Sequence, residues 1–282
     1  MFIIKNPYEL QCKIKELKLQ GKRIGVVPTM GALHEGHLTL VRESKKNNDI
    51  TIVTIFVNPK QFGPNEDFNS YPRTFESDKN KLEKEGVDFL FYPDINDMYP
   101  DGYATSVEVE SGIVNKLCGA KRPGHFKGVT TVVSKLFNIT LPDNAYFGLK
   151  DYQQYLIIRK MVKDLNFPIN VVGVPIVREE DGLAMSSRNK YLSDEERKDA
   201  TLIYKSLLKA KNLIESGEKD AQKIKKTILE ILTQSKFSKI DYIEIVDPEN
   251  LEEVSEINKS VLIAVACFFG KARLIDNIVI KI

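Results

Sequence analysis

The fold of this chain is decided by the stretch IGVVPTMGALHEGH, residues 24–37. Its first four residues are apolar and predict a buried strand, and residues 38–42 predict a helix. A strand, a glycine-bearing turn and a helix, in that order, present backbone N–H groups to phosphate. The stretch also holds His34 and His37, two of the three histidines of the chain. Because residues three apart share one face of a helical turn, we expect both imidazoles to meet the same anion.

Two other interpretations of the histidine pair stay open. Zinc sites of the zincin type need histidines at i and i+4, one position more than the spacing here. No cysteine cluster or third nearby histidine completes a zinc set. The histidines can also serve only to cap a helix, although two of only three histidines beside two glycines make phosphate binding the favoured interpretation.

Composition narrows the class of protein. A chain of 282 residues with 42% hydrophobic content can form one large or two modest domains. The 41 basic and 39 acidic residues nearly balance, which indicates neither a nucleic-acid nor a membrane partner. Cys12, Cys118 and Cys267 form no CxxC motif, as expected in the reducing cytoplasm. We expect no signal peptide and no membrane span, and therefore a cytoplasmic protein.

The first 175 residues alternate strand and helix patterns. The strand patterns are nearly continuous apolar runs, typical of strands buried on both faces. They lie at Ile24–Val27, Ile50–Val57, Val87–Tyr92, Ala145–Phe147 and Ile169–Val174. This alternation predicts a Rossmann-like α/β domain over residues 1–175, with a doubly wound parallel sheet. Ligands of such sheets bind outside the carboxyl ends of the strands, where the histidine pair lies.

Residues 176–282 show a different pattern. Ser193 and Glu196 form a predicted capping box at the start of a helix that runs to about Glu215. A second helix is predicted over residues 220–235. Three strand patterns close the chain, at Ile240–Val246, Ser260–Phe268 and Leu274–Ile280. Helices followed by consecutive strands predict a smaller α+β domain with an antiparallel sheet.

Two loops carry further polar side chains in the first domain. Asn58 and Gln61 follow the second strand pattern, and amides suit hydroxyl and carboxylate recognition because they both donate and accept. The third histidine, His125, lies between Arg122 and Lys127 in a glycine-bearing loop. Taken alone, Asn58 is equally explained by a turn bond, and the His125 loop by a solvated basic surface.

Two more segments predict phosphate contacts. In the first, Gly148 lets the backbone approach a nucleotide closely, and Lys150 supplies a point charge for phosphate. Asp151, which follows, is also explained as a helix N-cap. In the second, residues 185–188 place two hydroxyls and a guanidinium together, which suits the binding of a triphosphate. A solvated turn is the alternative for this segment.

Together these motifs resemble a known family. The histidine pair and the distal Met185-Ser186-Ser187-Arg188 resemble the HIGH and KMSKS signatures of class I synthetases and nucleotidyltransferases. With Tyr71–Thr74 and the segments around Gln61, His125 and Lys150, they are similar in order and spacing to the pantothenate synthetase (pantoate–β-alanine ligase) family. The resemblance extends over essentially the full chain. Ser77 stands where some relatives carry a second aspartate before Asp78.

The resemblance implies a two-step reaction. Pantoate and ATP give pantoyl adenylate and pyrophosphate, and β-alanine then displaces AMP to form pantothenate, a coenzyme A precursor. The implied catalytic residues are His34, His37, Lys150 and Arg188. The implied ATP-binding residues are Met30, Gly31, Ala32, Leu33, His34, Glu35, Gly36, His37, Gly148, Leu149, Lys150, Asp151, Val177, Met185, Ser186, Ser187 and Arg188. The implied substrate-binding residues are Pro28, Asn58, Gln61, His125 and Gln154.

The resemblance further implies that Mg²⁺ accompanies ATP, with Asp78 and Asp151 as its candidate ligands, and that the protein is a homodimer. Three other functions stay open. An adenylyltransferase acting on a phosphoester is typically shorter and lacks the contexts of Gln61 and Gln154. An aminoacyl-tRNA synthetase brings an anticodon domain and a basic surface. A non-catalytic nucleotide-binding protein retains the fold without the reaction.

Overall fold

Six parallel strands form the sheet of the amino-terminal part, in a computed structural model that describes residues 1–64 and 66–282. The spatial order is β1-β4-β3-β2-β5-β6. The strands are β1 (Phe2–Ile4), β2 (Ile24–Thr29), β3 (Ile50–Ile55), β4 (Phe89–Phe91), β5 (Asn144–Gly148) and β6 (Asn170–Val174). Every pairing in this sheet is parallel, so the predicted doubly wound sheet is confirmed.

The central strand is β2, as its apolar sequence predicts. Val26 pairs with Ile52 of β3 on one side and with Ala145 of β5 on the other, and all three are fully buried. Gly25 lets a helix pack closely on this strand. A Cβ atom at Gly25 would lie 2.2 Å from the hydroxyl of Ser44, which belongs to the next helix. The last turns of that helix therefore pack directly on the beginning of β2.

The helices of this part flank the sheet. They are α1 (Pro7–Leu19), α2 (Glu35–Asn47), α3 (Phe75–Lys84), α4 (Ile95–Met98), α5 (Leu117–Lys121), α6 (His125–Thr140) and α7 (Tyr152–Asp164). No helix within the described ranges combines the length and apolar character needed to cross a bilayer. Short 3₁₀ turns lie at Pro59–Gln61 and Leu149–Asp151.

The strand order places a switch point beside β2. The chain proceeds from β2 to β3 on one side, whereas β5 pairs with the other side of β2. In sheets of this kind the loops on the two sides of such a point diverge, and the crevice between them is the usual ligand site. The histidine stretch follows β2, and Gly148 ends β5.

Contacts divide the chain into two units. The first comprises Met1–Leu149 and Gln153–Pro175, and the second comprises Lys150–Tyr152 and Ile176–Ile282. The second unit contains α8 (Asp194–Ala200), α9 (Leu202–Glu215), α10 (Ala221–Leu232), β7 (Ser238–Val246), β8 (Val261–Phe269) and β9 (Ala272–Ile280). Its three strands form an antiparallel sheet in the order β7-β8-β9, which confirms the predicted smaller α+β part.

The first helix of the second unit begins as predicted but is shorter. Ser193 Oγ accepts the N–H of Glu196, and the Glu196 carboxylate accepts the N–H of Ser193, which completes the capping box. The predicted continuous helix to Glu215 is interrupted at Thr201. The hydroxyl of Thr201 donates to the Lys198 carbonyl at 2.8 Å, a bond that competes with the regular helical ladder.

Candidate active site

The loop after β2 is held by side chains of α3. The carboxylate of Asp78 accepts the N–H of Ala32 at Oδ2 and the N–H of Leu33 at Oδ1, each at 2.8 Å. The Lys81 ammonium donates to the Leu33 carbonyl at 2.6 Å. The side chains of Ala32 and Leu33 are buried, and that of Leu33 joins the core. These two predicted ATP-binding residues are thus 1% and 2% exposed, and both of their N–H groups are bonded to Asp78.

Gly31 allows this loop to turn toward α3. Its φ is +83°, a conformation that favours glycine. A Cβ atom here would lie 3.1 Å from Ile55 Cγ2 and 3.3 Å from Asp78 Oδ2. Any side chain at Gly31 would strain the backbone and press on the carboxylate that holds the loop.

The histidine pair lies in the first turn of α2. The helix begins at Glu35, so His34 is its N-cap and His37 its third residue. The N–H of His34 donates to His37 Nδ1 at 3.3 Å, and the ring centroids are 4.1 Å apart. Because Nδ1 accepts, neutral His37 carries its proton on Nε2. An anion at this helix end would meet that N–H, the first-turn backbone and the positive end of the helix dipole.

Glu35 is directed away from such an anion by an ion pair. Its carboxylate accepts from Arg42, which lies two helical turns further along α2. Arg42 also binds Glu85 through Nη2 at 2.5 Å and Nε at 3.0 Å. This network fixes the start of α2 and neutralises a carboxylate that would otherwise repel phosphate.

Asn58 anchors the turn that carries Gln61. Its Nδ2 donates to Gln61 Oε1 at 3.0 Å and to the Gly128 carbonyl at 3.1 Å. Its Oδ1 accepts the N–H of Lys60 at 3.2 Å and the Tyr99 hydroxyl at 2.8 Å. Burial raises the pKa of Tyr99, so this hydroxyl stays protonated and donates. All hydrogen-bonding positions of Asn58 are thus used within the protein, so it positions Gln61, and its predicted contact with substrate stays a prediction.

Gln61 keeps a donor for a ligand. It is 8% exposed, and its Nε2 donates to Met30 Sδ at 3.1 Å. A thioether is a weak acceptor. A carboxylate or hydroxyl oxygen would replace it with a gain in hydrogen-bond strength. The structure therefore brings Gln61 and Met30 together, as two predicted pocket residues.

His125 supports Gln61 from behind. Its Nδ1 donates to the Gln61 carbonyl at 2.8 Å, and its Nε2 accepts from Arg122 at 2.9 Å. Arg122 in turn binds both oxygens of Glu66, at 2.7 and 2.6 Å. Burial raises the pKa of Glu66, but the bonds from Arg122 outweigh this and lower it below its ordinary value. With both ring nitrogens in these bonds, His125 also positions Gln61, and its predicted contact with substrate stays a prediction.

Gly128 makes room for the whole turn. A Cβ atom at this position in α6 would lie 2.2 Å from the Lys60 carbonyl oxygen and 2.7 Å from the Gln61 nitrogen. The Pro59–Gln61 turn therefore packs directly on the backbone of α6. This close approach is what allows the Gly128 carbonyl to accept from Asn58.

A cavity of about 210 Å³ opens behind Met30 and Gly31. Its walls come from the end of β3, from Pro72–Phe75 and from the start of α4. Arg73 lines it and donates to the Phe68 and Tyr71 carbonyls, each at 3.2 Å. Among the described residues that line this cavity, the predicted site contributes Met30, Gly31 and Asp78.

The segment after β5 contains two adjacent glutamines with different surroundings. Gln153 is 5% exposed and donates to the carbonyls of Ile113 and Lys116, each at 2.7 Å, so it holds the preceding loop. Gln154 is half-buried. It is the one of the two that the resemblance assigns to substrate, and the burial of Gln153 supports that choice.

Lys150 and Asp151 lie in the second unit. The Lys150 ammonium pairs with the Asp151 carboxylate at 3.1 Å, and the Lys150 carbonyl accepts from Asn277 Nδ2 at 2.9 Å. Before them, Gly148 has open space around its Cα, since no heavy atom lies within 4 Å of a Cβ placed there.

The Met185–Arg188 segment follows a tight hairpin of the same unit. The Met185 N–H donates to the Val177 carbonyl at 3.0 Å, which closes the hairpin. Ser186 Oγ accepts the Arg188 N–H at 3.2 Å and caps a 3₁₀ turn over Ser187–Tyr191. Ser187 is 8% exposed, whereas Ser186 and Arg188 are half-buried.

The predicted Mg²⁺ ligands do not fit a resident metal site. Asp78 is 0% exposed, and besides the two loop N–H groups its Oδ2 accepts the Thr74 hydroxyl at 3.0 Å. Asp151 pairs with Lys150. Within residues 1–64 and 66–282, no three His, Cys, Asp or Glu side chains are arranged to hold a metal ion. We therefore correct the assignment of Asp78, whose carboxylate holds the loop after β2.

Several supporting residues escaped the sequence-based prediction. Lys81 and Gln153 contact the site loops, and Arg178, Asp276 and Asn277 lie beneath the segments of the second unit. Asp276 and Asn277 are some hundred residues from their partners, so no local spacing indicates the contacts. The one signal in the sequence is that two polar residues, Asp276 and Asn277, stand next to each other inside the apolar pattern of the last strand.

Comparison with known proteins agrees with this architecture. The family model of "Pantoate-beta-alanine ligase" matches residues 2–279. A pantothenate synthetase from Sulfurihydrogenibium sp. is 60% identical over 279 residues, which cover 99% of each chain. The crystal structure of pantothenate synthetase from Thermus thermophilus superposes with a TM-score of 0.94, at 46% identity and 99% coverage of each chain. A second crystal structure is that of a pantoate-beta-alanine ligase from Francisella tularensis, complexed with beta-gamma ATP and β-alanine. It superposes with a TM-score of 0.80 at 37% identity, and the match covers 99% of this chain and 97% of the other.

Proposed function

This chain belongs to the pantoate–β-alanine ligase family, and from that premise we propose which of its residues perform the reaction. As a ligase of this family it condenses pantoate with β-alanine at the expense of ATP. The products are pantothenate, AMP and pyrophosphate, and the intermediate is pantoyl adenylate. The observation that carries the proposed residue roles is the position of His34 and His37 in the first turn of α2, at the end of the central strand.

The first step needs alignment and charge neutralisation. Pantoate attacks through a carboxylate that is already ionised at neutral pH, so no general base is required. Negative charge moves onto the leaving pyrophosphate. We propose that the Nε2–H of His37, the first-turn N–H groups of α2 and the Lys150 ammonium bind phosphate oxygens. Ser186, Ser187 and Arg188 are proposed to supply further donors to the same nucleotide.

Pantoate is proposed to bind between Gln61 and Gln154, against Pro28 and Met30. The support is the exchangeable bond from Gln61 Nε2 to Met30 Sδ, which a substrate oxygen can replace. Asn58, His125 and Gly128 then hold Gln61 in place. Binding of pantoate against these residues would exclude water, which protects the acyl adenylate from hydrolysis.

Magnesium is proposed to arrive with the nucleotide, as the MgATP substrate. Mg²⁺ usually keeps several waters and binds substrate phosphates with few protein carboxylates, in agreement with the engaged state of Asp78. When bound, the ion would add positive charge at the phosphates.

We also propose that the protein is a cytoplasmic homodimer, as the family resemblance implies. Cys12, Cys118 and Cys267 are free thiols, which fits a reducing compartment. Light scattering of the purified protein at about micromolar concentration tests the assembly, since a dimer doubles the 32.1 kDa chain mass.

Pantoate-dependent exchange of pyrophosphate into ATP tests the reaction directly. Purified protein with ATP, Mg²⁺ and pantoate is expected to exchange labelled pyrophosphate, and added β-alanine is expected to release AMP. Exchange with another acid, but not with pantoate, would contradict the substrate while leaving the adenylation chemistry in place. His37→Ala or Arg188→Ala is expected to lower the rate by roughly 10²–10³, as for loss of one donor to transition-state charge.

A further inference from the structure

Lys150 is held by the last strand of the chain. The segment Lys150–Tyr152 groups with the second unit rather than with the strand and helix that flank it in sequence. The bond that ties it there runs from Asn277 Nδ2 to the Lys150 carbonyl at 2.9 Å, across 127 positions of sequence. Asn277 lies in β9 and is 6% exposed, so this amide has little access to water. A buried amide whose donor is used on one carbonyl fixes that carbonyl in place.

The preceding residue of β9 holds the hairpin that leads to Met185. Asp276 is 3% exposed and accepts two bonds from Arg178, from Nη1 at 2.6 Å and from Nη2 at 2.9 Å. Arg178 Nη1 also donates to the Gly182 carbonyl at 3.1 Å, and the guanidinium lies 3.8 Å from the centroid of the Tyr204 ring. A buried, bidentate pair of this kind holds a single geometry.

The Arg178 contact is transmitted to the Met185–Arg188 segment by the hairpin itself. Arg178 pairs with Ala184 as an antiparallel bridge, and the next residue, Met185, donates to the Val177 carbonyl. The position of Arg178 therefore sets the point at which the chain enters the Ser186–Arg188 turn. Adjacent residues of one strand thus hold both segments of the second unit that are proposed to bind phosphate.

We propose that Asp276 and Asn277 are positioning residues for the adenylation step, Asn277 through Lys150 and Asp276 through the Arg178 hairpin. The inference rests on the proposed role of Lys150 and of Ser186–Arg188 at the phosphates of ATP. Neither β9 side chain touches substrate in this scheme. Their effect is confined to the step in which pyrophosphate leaves, because that is the step in which those two segments bind developing charge.

The test compares the two half-reactions in Asn277→Ala and Lys150→Ala. We expect Asn277→Ala to slow pantoate-dependent ATP–pyrophosphate exchange by about tenfold. This value lies between the effect of losing one hydrogen bond and the effect of misplacing a catalytic group by about 1 Å. Single-turnover reaction of enzyme-bound pantoyl adenylate with β-alanine is expected to keep its rate. Unchanged exchange, or an equal loss in both half-reactions, would overturn the inference.

The double variant Lys150→Ala/Asn277→Ala separates positioning from general destabilisation. If Asn277 acts through the Lys150 ammonium, the double variant exchanges as slowly as Lys150→Ala alone, since the group to be positioned is gone. A further tenfold loss in the double variant would show that Asn277 acts elsewhere. If Lys150→Ala itself exchanges normally, the proposed role of Lys150 fails, which is a different outcome from the failure of Asn277.

Asp276→Asn is compared with Asp241→Asn, a matched control from the same sheet. Asp241 pairs with Arg273 at 2.7 Å, and both side chains are mostly buried, as in the Arg178–Asp276 pair. Exchange is measured at a temperature where both variants remain folded by circular dichroism. We expect slower exchange only in Asp276→Asn. If both variants exchange equally slowly, the Asp276 effect is loss of sheet stability and not positioning. Should Asp276→Asn fail to fold, Arg178→Lys takes its place, because lysine keeps the charge but loses the two-bond contact with Asp276. Slower exchange is expected, and normal exchange would overturn the Asp276 part of the inference.

Discussion

Gly128→Ala is expected to damage pantoate binding without touching any proposed substrate contact. The new methyl group would lie 2.2 Å from the Lys60 carbonyl oxygen, 2.5 Å from its carbon and 2.7 Å from the Gln61 nitrogen. Non-bonded Cβ atoms essentially never approach closer than 3.0 Å, so the turn must move by at least 0.8 Å. All three clashing atoms are backbone, and no side-chain rotation can relieve them.

The magnitude follows from two effects of opposite sign. Alanine is about 1 kcal/mol better than glycine inside a helix. Overpacking typically costs about 1–3 kcal/mol, so we expect a net loss of roughly 0–2 kcal/mol in the free energy of unfolding. A displacement near 1 Å at a substrate-positioning group can cost about 10²-fold in rate. Because Asn58 donates to both Gln61 and Gly128, the shift also breaks the bond that orients the Gln61 amide.

The assay is steady-state pantothenate formation with pantoate varied at saturating ATP and β-alanine, together with urea unfolding. We expect kcat/KM for pantoate to fall by roughly 10- to 100-fold. Gly112→Ala is the control, since no atom lies within 4 Å of a Cβ there and its φ is not positive. A Gly128→Ala enzyme whose kcat/KM stays within twofold of the parent would refute the claim that the packing of this turn sets the position of Gln61.

Three further outcomes are expected. Asp78→Asn should lower the free energy of unfolding by about 2 kcal/mol and raise the KM for ATP. The reason is that one of the two charged oxygens that accept the loop N–H groups is replaced by an NH₂ donor. An unchanged urea midpoint would contradict this. The pKa of Glu66 is lowered in the folded protein, so its stabilising effect is present above its ordinary value of 4.5 and lost as pH falls through the lower folded value. Glu66→Gln should therefore be less stable than the parent near neutral pH, and the difference in melting temperature should shrink in acid; a constant difference would rule out the ion pair with Arg122 as its cause. Gln153→Ala should lower the melting temperature, whereas Gln154→Ala should mainly raise the KM for pantoate, and a reversal of these effects would exchange their roles.

The strand and helix patterns of the sequence predicted the sheet but missed its edge. β1 has three residues and α1 precedes any predicted strand, although Asn6 and Pro7 carry a clear start signal. Asn6 Oδ1 indeed accepts the N–H groups of Tyr8 and Glu9. A three-residue strand is too short for a period in its hydrophobic pattern to be recognised. Its parallel pairing with β4 joins residues that are 85 or more positions apart in the sequence.

The sequence by itself determined the class of the fold, the place of the phosphate-binding turn and the family, because these depend on local order. An apolar run, a glycine turn and a helix start are properties of neighbouring residues, so these motifs are recognised without knowledge of the tertiary structure. Gly31, His34 and His37 are identified in this way.

Only the tertiary structure decided which polar residues hold the site and which are available to a ligand. Asn58, Asp78 and His125 look like ligand-binding residues in the sequence, yet their side chains are hydrogen-bonded to groups 41 to 70 positions away. Asn277 carries no motif and still fixes the Lys150 backbone. The reason is physical: a buried donor or acceptor must be satisfied, and its partner is chosen by distance in space, which residue order along the chain does not specify.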